Sequence, residues 1–273
     1  MGIKKPSMVP DNPEYQLIIE KKDPDDRIIA LAGNPNVGKS TVFNNLTGLN
    51  QHTGNWPGKT VTNAQGRYLH KGKGFILVDL PGIYSLMANS VEEEVARDFI
   101  CFGNPDATVM VADATCLERN LNLVLQTLEI TNNAILCVNL LDEAKRKKIT
   151  IDLKELSRQL GIPVVGSCAR DARGLNELMD EVYNLTMKKS SKAGYVIKYD
   201  KPIEEAVSIL EPSVREVIGN FNSRWIALKL LDGDKTLINS ISQYLKIDVL
   251  ENTEIVSKLQ LAREVLINSG IDN

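Results

Sequence analysis

The stretch GNPNVGKST, Gly33 to Thr41, carries the chain's strongest chemical signal, because it matches the spacing G-x-x-x-x-G-K-[ST] directly after a β-rich run. Gly33 and Gly38 let the backbone wrap round a phosphate chain and turn its N–H groups inward, with Asn34, Pro35, Asn36 and Val37 forming the loop between them. Lys39 is positioned to bridge β- and γ-phosphates, Ser40 to ligate Mg²⁺, and Thr41 to follow in the first helical turn, whose positive end faces the same phosphates. The bland alternative is a glycine-containing strand–helix turn with an accidental lysine. Strand, loop and helix in the required order argue against it.

A phosphate loop alone admits ATP or GTP, and the base is decided downstream. In NLLD, Asn139 and Asp142 follow a buried strand at the carboxyl edge where ligands sit in such sheets. The Asp142 carboxylate can accept from the guanine N1–H and exocyclic amino group, a pair adenine lacks, and Asn139 can hold neighbouring loops. Leu140 stands where N-K-x-D has its lysine, which changes one contact on the base. The segment SCAR places Ser167, Cys168 and Ala169 at the third guanine-contacting loop, recognising mostly by backbone.

DLPG supplies a γ-phosphate sensor: Asp79 holds Mg²⁺ through water and the Gly82 N–H meets the phosphate. Many such enzymes follow this glycine with a glutamine that orients the attacking water, but here the place holds Ile83. The polar, glycine-punctuated segment NQHTGNWPGKTVTN is read as a loop before a hairpin, with Gly58 on the nucleotide side. Thr60 is its first choice for a switch threonine that joins Mg²⁺ when the γ-phosphate is present; Thr53 and Thr62 are rivals.

These residues need a scaffold, and the chain supplies one. From Arg27, β-rich runs alternate with helical stretches, the pattern of βαβ units on a mostly parallel sheet. The run TVTNAQGRYLHKGKGFILVDL predicts a hairpin that adds one antiparallel edge strand. The fold class is therefore α/β, a Ras-like P-loop GTPase domain over 27–189, then a small all-α domain over 190–273. Four or five short helices are expected there, divided by Pro212 and glycine-containing breaks. Residues 1–26 read as a tail with a short strand at YQLII, and Met187–Tyr195 as a polar linker.

Composition narrows the class. Apolar residues make up 43% and charged residues 25%, ordinary for a soluble globular protein, and a net charge of −3 gives no sign of a nucleic-acid binder. Cys101, Cys116, Cys137 and Cys168 form no C-x-x-C pair, and His52 and His70 are the chain's two histidines. That disfavours zinc or a disulfide framework. The longest apolar runs are strand-sized and no signal peptide is visible, so the chain is expected to be soluble.

Five segments, GNPNVGKSTVFNNLTG, GNWPGKTV, DLPGIYSL, DATCLERNLNLVLQ and NLLD, together resemble the cytosolic N-terminal region of the bacterial ferrous iron transporter B (FeoB) family over residues 27–186. The resemblance implies a helical module like a guanine-nucleotide-dissociation inhibitor over 190–273, and a location at the cytoplasmic face of the membrane. As partners it implies GTP and GDP, the transmembrane part of the full-length protein, small accessory transport proteins and other copies of the chain. It further implies an activating K⁺ against the phosphates, in the place of an arginine finger, with oxygen ligands from the Asn36 side chain and the backbone carbonyls of Gly54 and Trp56. Asn36, Lys39, Thr60 and Gly82 are then the catalytic set, and backbone groups rather than Ile83 hold the water. Asn36 also has a plain reading as a turn-forming asparagine.

Two other functions share the phosphate-loop and N-x-x-D pattern. A ribosome-assembly GTPase would append a basic domain, often with G-x-x-G. Residues 187–273 carry as many Asp and Glu as Lys and Arg, and lack that motif. A GTP-sensing scaffold with negligible hydrolysis is equally compatible with a missing glutamine.

Overall fold

The computed structural model describes residues 17, 19, 21–48, 51–87, 89–187, 196–219, 221–246 and 248–271. The strand expected at YQLII and the linker expected at Met187–Tyr195 fall largely outside these residues. The chain divides into two compact units, one spanning Ile19–Lys198 and one that includes the helices from Tyr199 on.

The first unit is built on a seven-stranded sheet of order β2-β3-β4-β1-β5-β6-β7. Its strands are β1 (Arg27–Gly33), β2 (Gln51–Asn55), β3 (Thr62–His70), β4 (Lys73–Asp79), β5 (Ala107–Asp113), β6 (Ala134–Asn139) and β7 (Val164–Gly166). The helices are α1 (Lys39–Thr47), α2 (Val91–Phe102), α3 (Leu117–Ile130), α4 (Leu141–Arg146), α5 (Leu153–Leu160) and α6 (Leu175–Met187). Strands β4, β1, β5, β6 and β7 pair in parallel, while β3 runs antiparallel to both β4 and β2.

Central strands are apolar throughout because helices cover both faces. Val109 and Val111 face α1 and α6 with Phe43, Leu46, Leu178 and Val182. Met110 and Ala112, one residue out of phase, pack on the other face with Val124, Leu128 and Leu160. The parallel register brings Gly33, Asp79, Asp113, Asn139 and Gly166 to one carboxyl edge.

Three features depart from the expected pattern. Gln51–Asn55, read as loop because it is polar, forms the edge strand β2; an edge strand needs main-chain pairing to β3 and no apolar face. The hairpin strand β3 is therefore the second strand from the edge. Ordered structure also begins before Arg27: Asp26 is buried, accepts from the backbone N–H groups of Lys22 and Asp23, and holds the Arg67 guanidinium in two 2.8 Å bonds.

The second unit comprises α7 (Lys201–Ile218), α8 (Ser223–Leu231), α9 (Lys235–Leu245) and α10 (Thr253–Asn268). Both α8 and α10 pack on α7. Pro212 does not divide α7, which continues through it. Ala206, Val207 and Leu210 before the proline and Val214 and Ile218 after it are all buried, so packing on both sides outweighs the lost backbone bond. No helix among the described residues is long and apolar enough to cross a membrane.

Candidate nucleotide-binding site

At the carboxyl edge, β1 runs into a loop that turns at Asn36 (φ 66°) and at Gly38 (φ 83°), which caps α1. Asn36 is exposed, and asparagine tolerates this left-handed conformation better than most residues. At Gly38 a side chain is excluded twice, by the backbone angle and because a Cβ would collide with Nδ2 of Asn139. Asn34 and Val37 are buried and Pro35 half-buried, while Ser40 and Thr41 are exposed on the first turn of α1.

Lys39 is buried and its ammonium pairs with the Asp79 carboxylate at the end of β4. Burial pushes the Asp79 carboxyl above its usual range, and the Lys39 charge and hydrogen bond pull it part of the way back. Beyond Asp79 the chain is pinned to β1: Leu80 N–H donates to Leu31 O (3.0 Å) and Ile83 N–H to Gly33 O (3.2 Å). Gly82 lies against the phosphate loop, where an added Cβ would stand 3.3 Å from Pro35 Cα. The Ile83 side chain is 2% exposed. It is a core residue, and an alkyl side chain can neither donate a hydrogen bond to water nor accept one from it.

Asn139 joins the two halves of the site. It is 1% exposed; its amide N–H donates to Val37 O (3.0 Å), and its Oδ1 accepts from Ser167 Oγ (3.0 Å) and Ala169 N–H (2.9 Å). One side chain thus ties the phosphate loop to the SCAR loop. Leu140 takes a left-handed conformation (φ 62°) and starts α4, whose first turn carries Asp142. An open cleft of ≈ 710 Å³ follows, lined by Asp142, Lys145, Ser167, Cys168 and Arg173 among others. Desolvation pushes the Asp142 carboxyl upward. Backbone N–H groups, the Cys168 thiol and the Arg146 charge outweigh it and hold the group below its usual range, hence ionised. Lys145, one helical turn past Asp142, was not singled out from the sequence; its spacing on α4 was the available signal.

The segment carrying Thr60 is tied to its own turn and to α2. Trp56 N–H donates to Val61 O (2.8 Å) and Lys59 N–H to Trp56 O (3.0 Å), with Pro57 and Gly58 (φ 67°) at the centre of the turn, the residue pattern of type II. The Trp56 ring is buried edge-on against Phe99 of α2 (centroids 5.4 Å apart, 71° between planes), and Lys59 pairs with Glu94 of the same helix. Gly54 is committed to the β2–β3 ladder, Thr53 and Thr62 are strand residues, and Thr60 is exposed outside the ladder. Among the described residues no hydrogen bond joins Gly54, Trp56, Gly58 or Thr60 to the phosphate loop.

The profile of the family described as Ferrous iron transport protein B matches residues 27–182, and that of the FeoB cytosolic helical domain matches residues 199–269. The chain belongs to the FeoB family. The Fe(2+) transporter FeoB of Methanocaldococcus jannaschii is 40% identical over 240 residues, 88% of this chain and 34% of the relative. The chain thus spans about a third of that relative's length. The cytosolic domain of T. maritima FeoB in a GDP form superposes with a TM-score of 0.74 at 35% identity, covering 89% of this chain and 96% of the other. Its GMPPNP form gives 0.72 at the same identity and coverage. The fold is that of a GTPase-type nucleotide-binding domain.

Proposed function

We propose that the chain binds GTP and GDP with Mg²⁺ and hydrolyses GTP as the cytosolic switch of a ferrous iron transporter, regulating Fe(II) uptake at the cytoplasmic face of the membrane. The observation that carries the reading is the Asn139 bridge, which ties the loop of residues 33–38 to the Ser167–Ala169 loop beside Asp142. The solved relatives named with GDP and GMPPNP support it.

In this reading the loop N–H groups of 33–38 and Lys39 hold the phosphates, and the phosphates take Lys39 over from Asp79. Asp142 reads the guanine edge, with Ser167, Cys168 and Ala169 beside it. Ser40 and Asp79 offer the hard oxygen donors that suit Mg²⁺, an ion that otherwise relies on phosphate and water ligands. Bound there, it would neutralise charge developing on the β- and γ-oxygens. Thr60 joins only when its hairpin leaves α2, which makes that hairpin the switch. Hydrolysis forms a bond from water oxygen to the γ-phosphorus, breaks the bond to the β–γ bridging oxygen, and yields GDP and phosphate. With Ile83 buried, the water is held by backbone groups of the switch loops, while the Gly82 N–H meets the γ-phosphate. Potassium is the proposed activating cation. Asn36 offers it an oxygen at the phosphate loop, and the Gly54 and Trp56 carbonyls reach it after the hairpin moves.

Within the whole protein, residues 27–189 act as the G domain, 190–273 as the helical relay and 1–26 as an N-terminal extension. The transmembrane part, small accessory transport proteins and other copies of the chain are the partners. Phosphate release from GTP in Mg²⁺, with Lys39→Ala and Asp142→Asn as controls, tests the enzymatic part. Turnover abolished by Lys39→Ala is expected. Tight GTP binding with no turnover in any salt would leave a GTP-sensing scaffold instead.

A further inference from the structure

The segment LERNLNLVLQ is among the most distinctive in the chain, yet phosphate, base and metal binding use none of it. In the structure it forms the first part of α3, anchored at its start by Asn120, whose buried Oδ1 accepts from Asp113 N–H at 2.7 Å. Arg119 and Gln126 are seven residues apart, hence two turns along one helical face. Both meet the segment that follows Gly82. The Arg119 guanidinium lies 4.7 Å from the Tyr84 ring centroid. The Gln126 Oε1 accepts from Leu86 N–H at 2.7 Å and from the Ser85 hydroxyl at 3.2 Å.

The γ-phosphate sensor is therefore pinned on both sides. Leu80 and Ile83 bond to β1 before and after Gly82, and Gln126 holds the backbone three to four residues further on. Gly82 lies against Pro35 of the phosphate loop, so holding this loop holds Gly82 beside it. We propose that Gln126 is a positioning residue for GTP hydrolysis, fixing the loop through Ser85 and Leu86 so that the Gly82 N–H is aimed at the γ-phosphate. The proposal rests on the GTPase reading and deepens it. Where Ile83 provides no side chain to orient water, the direction of backbone N–H groups matters more, and a glutamine on a neighbouring helix fixes that direction without touching the reactants.

The test uses the whole chain with Gln126→Leu, Gln126→Met and Gln126→Glu. The apolar variants lose the acceptor, whereas the carboxylate keeps it. Gln126→Leu and Gln126→Met lose both hydrogen bonds and are expected to lower kcat for GTP about five- to tenfold. The affinity for a fluorescent GDP should stay within about twofold, and Gln126→Glu should restore most of the rate. The ratio of GMPPNP to GDP affinity should fall by a similar factor in the apolar variants. That ratio judges Gln126 even if the parent chain proves not to turn over, an outcome that defeats the hydrolysis reading alone. Unchanged kcat and an unchanged ratio would overturn the proposal. So would a parallel loss of GDP affinity in all three variants, the mark of a general packing role.

Discussion

Removing the Asn139 side chain should uncouple the two halves of the site. Asn139→Ala deletes three buried hydrogen bonds of 2.9–3.0 Å and leaves Val37 O and Ala169 N–H without partners; the Ser167 hydroxyl keeps Cys137 Sγ at 3.2 Å. At about 1 kcal/mol for each lost bond, and more for groups left buried and unpaired, the loss is about 3 kcal/mol. For a unit of this size that corresponds to a fall in Tm of about 6–12 °C. GDP affinity should fall at least about tenfold, because the phosphate loop and the SCAR loop lose their common support. Asn139→Asp should fare no better: it can still accept from Ser167 and Ala169, but it turns a carboxylate oxygen on Val37 O. Urea unfolding without nucleotide gives the first number and a fluorescent-GDP titration the second. A stability loss below about 1 kcal/mol, or a full loss with unchanged GDP affinity, would refute the bridge as described.

Two further outcomes follow from the same structure. The Thr60 hairpin is held to α2 by an aromatic pair worth about 0.5–1.5 kcal/mol and a partly exposed ion pair worth at most about 1 kcal/mol. Against these stands the Trp56 indole N–H, buried with no partner among the described residues, so the latch is weak. Lys59→Ala with Phe99→Leu should red-shift tryptophan emission in the nucleotide-free protein, and an unshifted spectrum would contradict the latch. The Arg67 guanidinium holds the Asp26 carboxyl below its usual range against the effect of burial. A lowered folded-state pKa means that the pair's stabilisation is full above about pH 4 and is lost as pH falls through the folded value. Asp26→Asn should therefore cost about 3 kcal/mol at pH 7, with the difference from the parent shrinking below about pH 4 in acid-unfolding curves.

The phosphate loop, the sensor and the NLLD and SCAR segments were legible in sequence because each is a local motif whose residues act through the backbone that carries them. The alternation of strands and helices was legible for a similar reason, since period and burial are written along one element. Other features depended on contacts distant in sequence. Gln65 opposite Val78 shows how β3 bridges an edge strand to the core, yet nothing in the polar run Gln51–Asn55 marks it as that edge. For Trp56 the sequence leaves open a carbonyl ligand, an exposed aromatic and an anchor for its loop; the ring packs on Phe99, a partner that only the fold supplies. Gln126 was hidden for the same reason: a helix face shows its purpose once the loop it meets is known. Pro212 misled because a local rule was outweighed by packing on both sides.

The most direct test of the switch is GTP turnover by the purified chain in Mg²⁺, comparing KCl with NaCl at equal ionic strength, for the parent and for Asn36→Ala. Turnover is expected to be several-fold faster in potassium for the parent, with none of that gain in the variant. Equal turnover in the two salts, or a potassium gain that survives Asn36→Ala, would contradict a potassium ion held by Asn36.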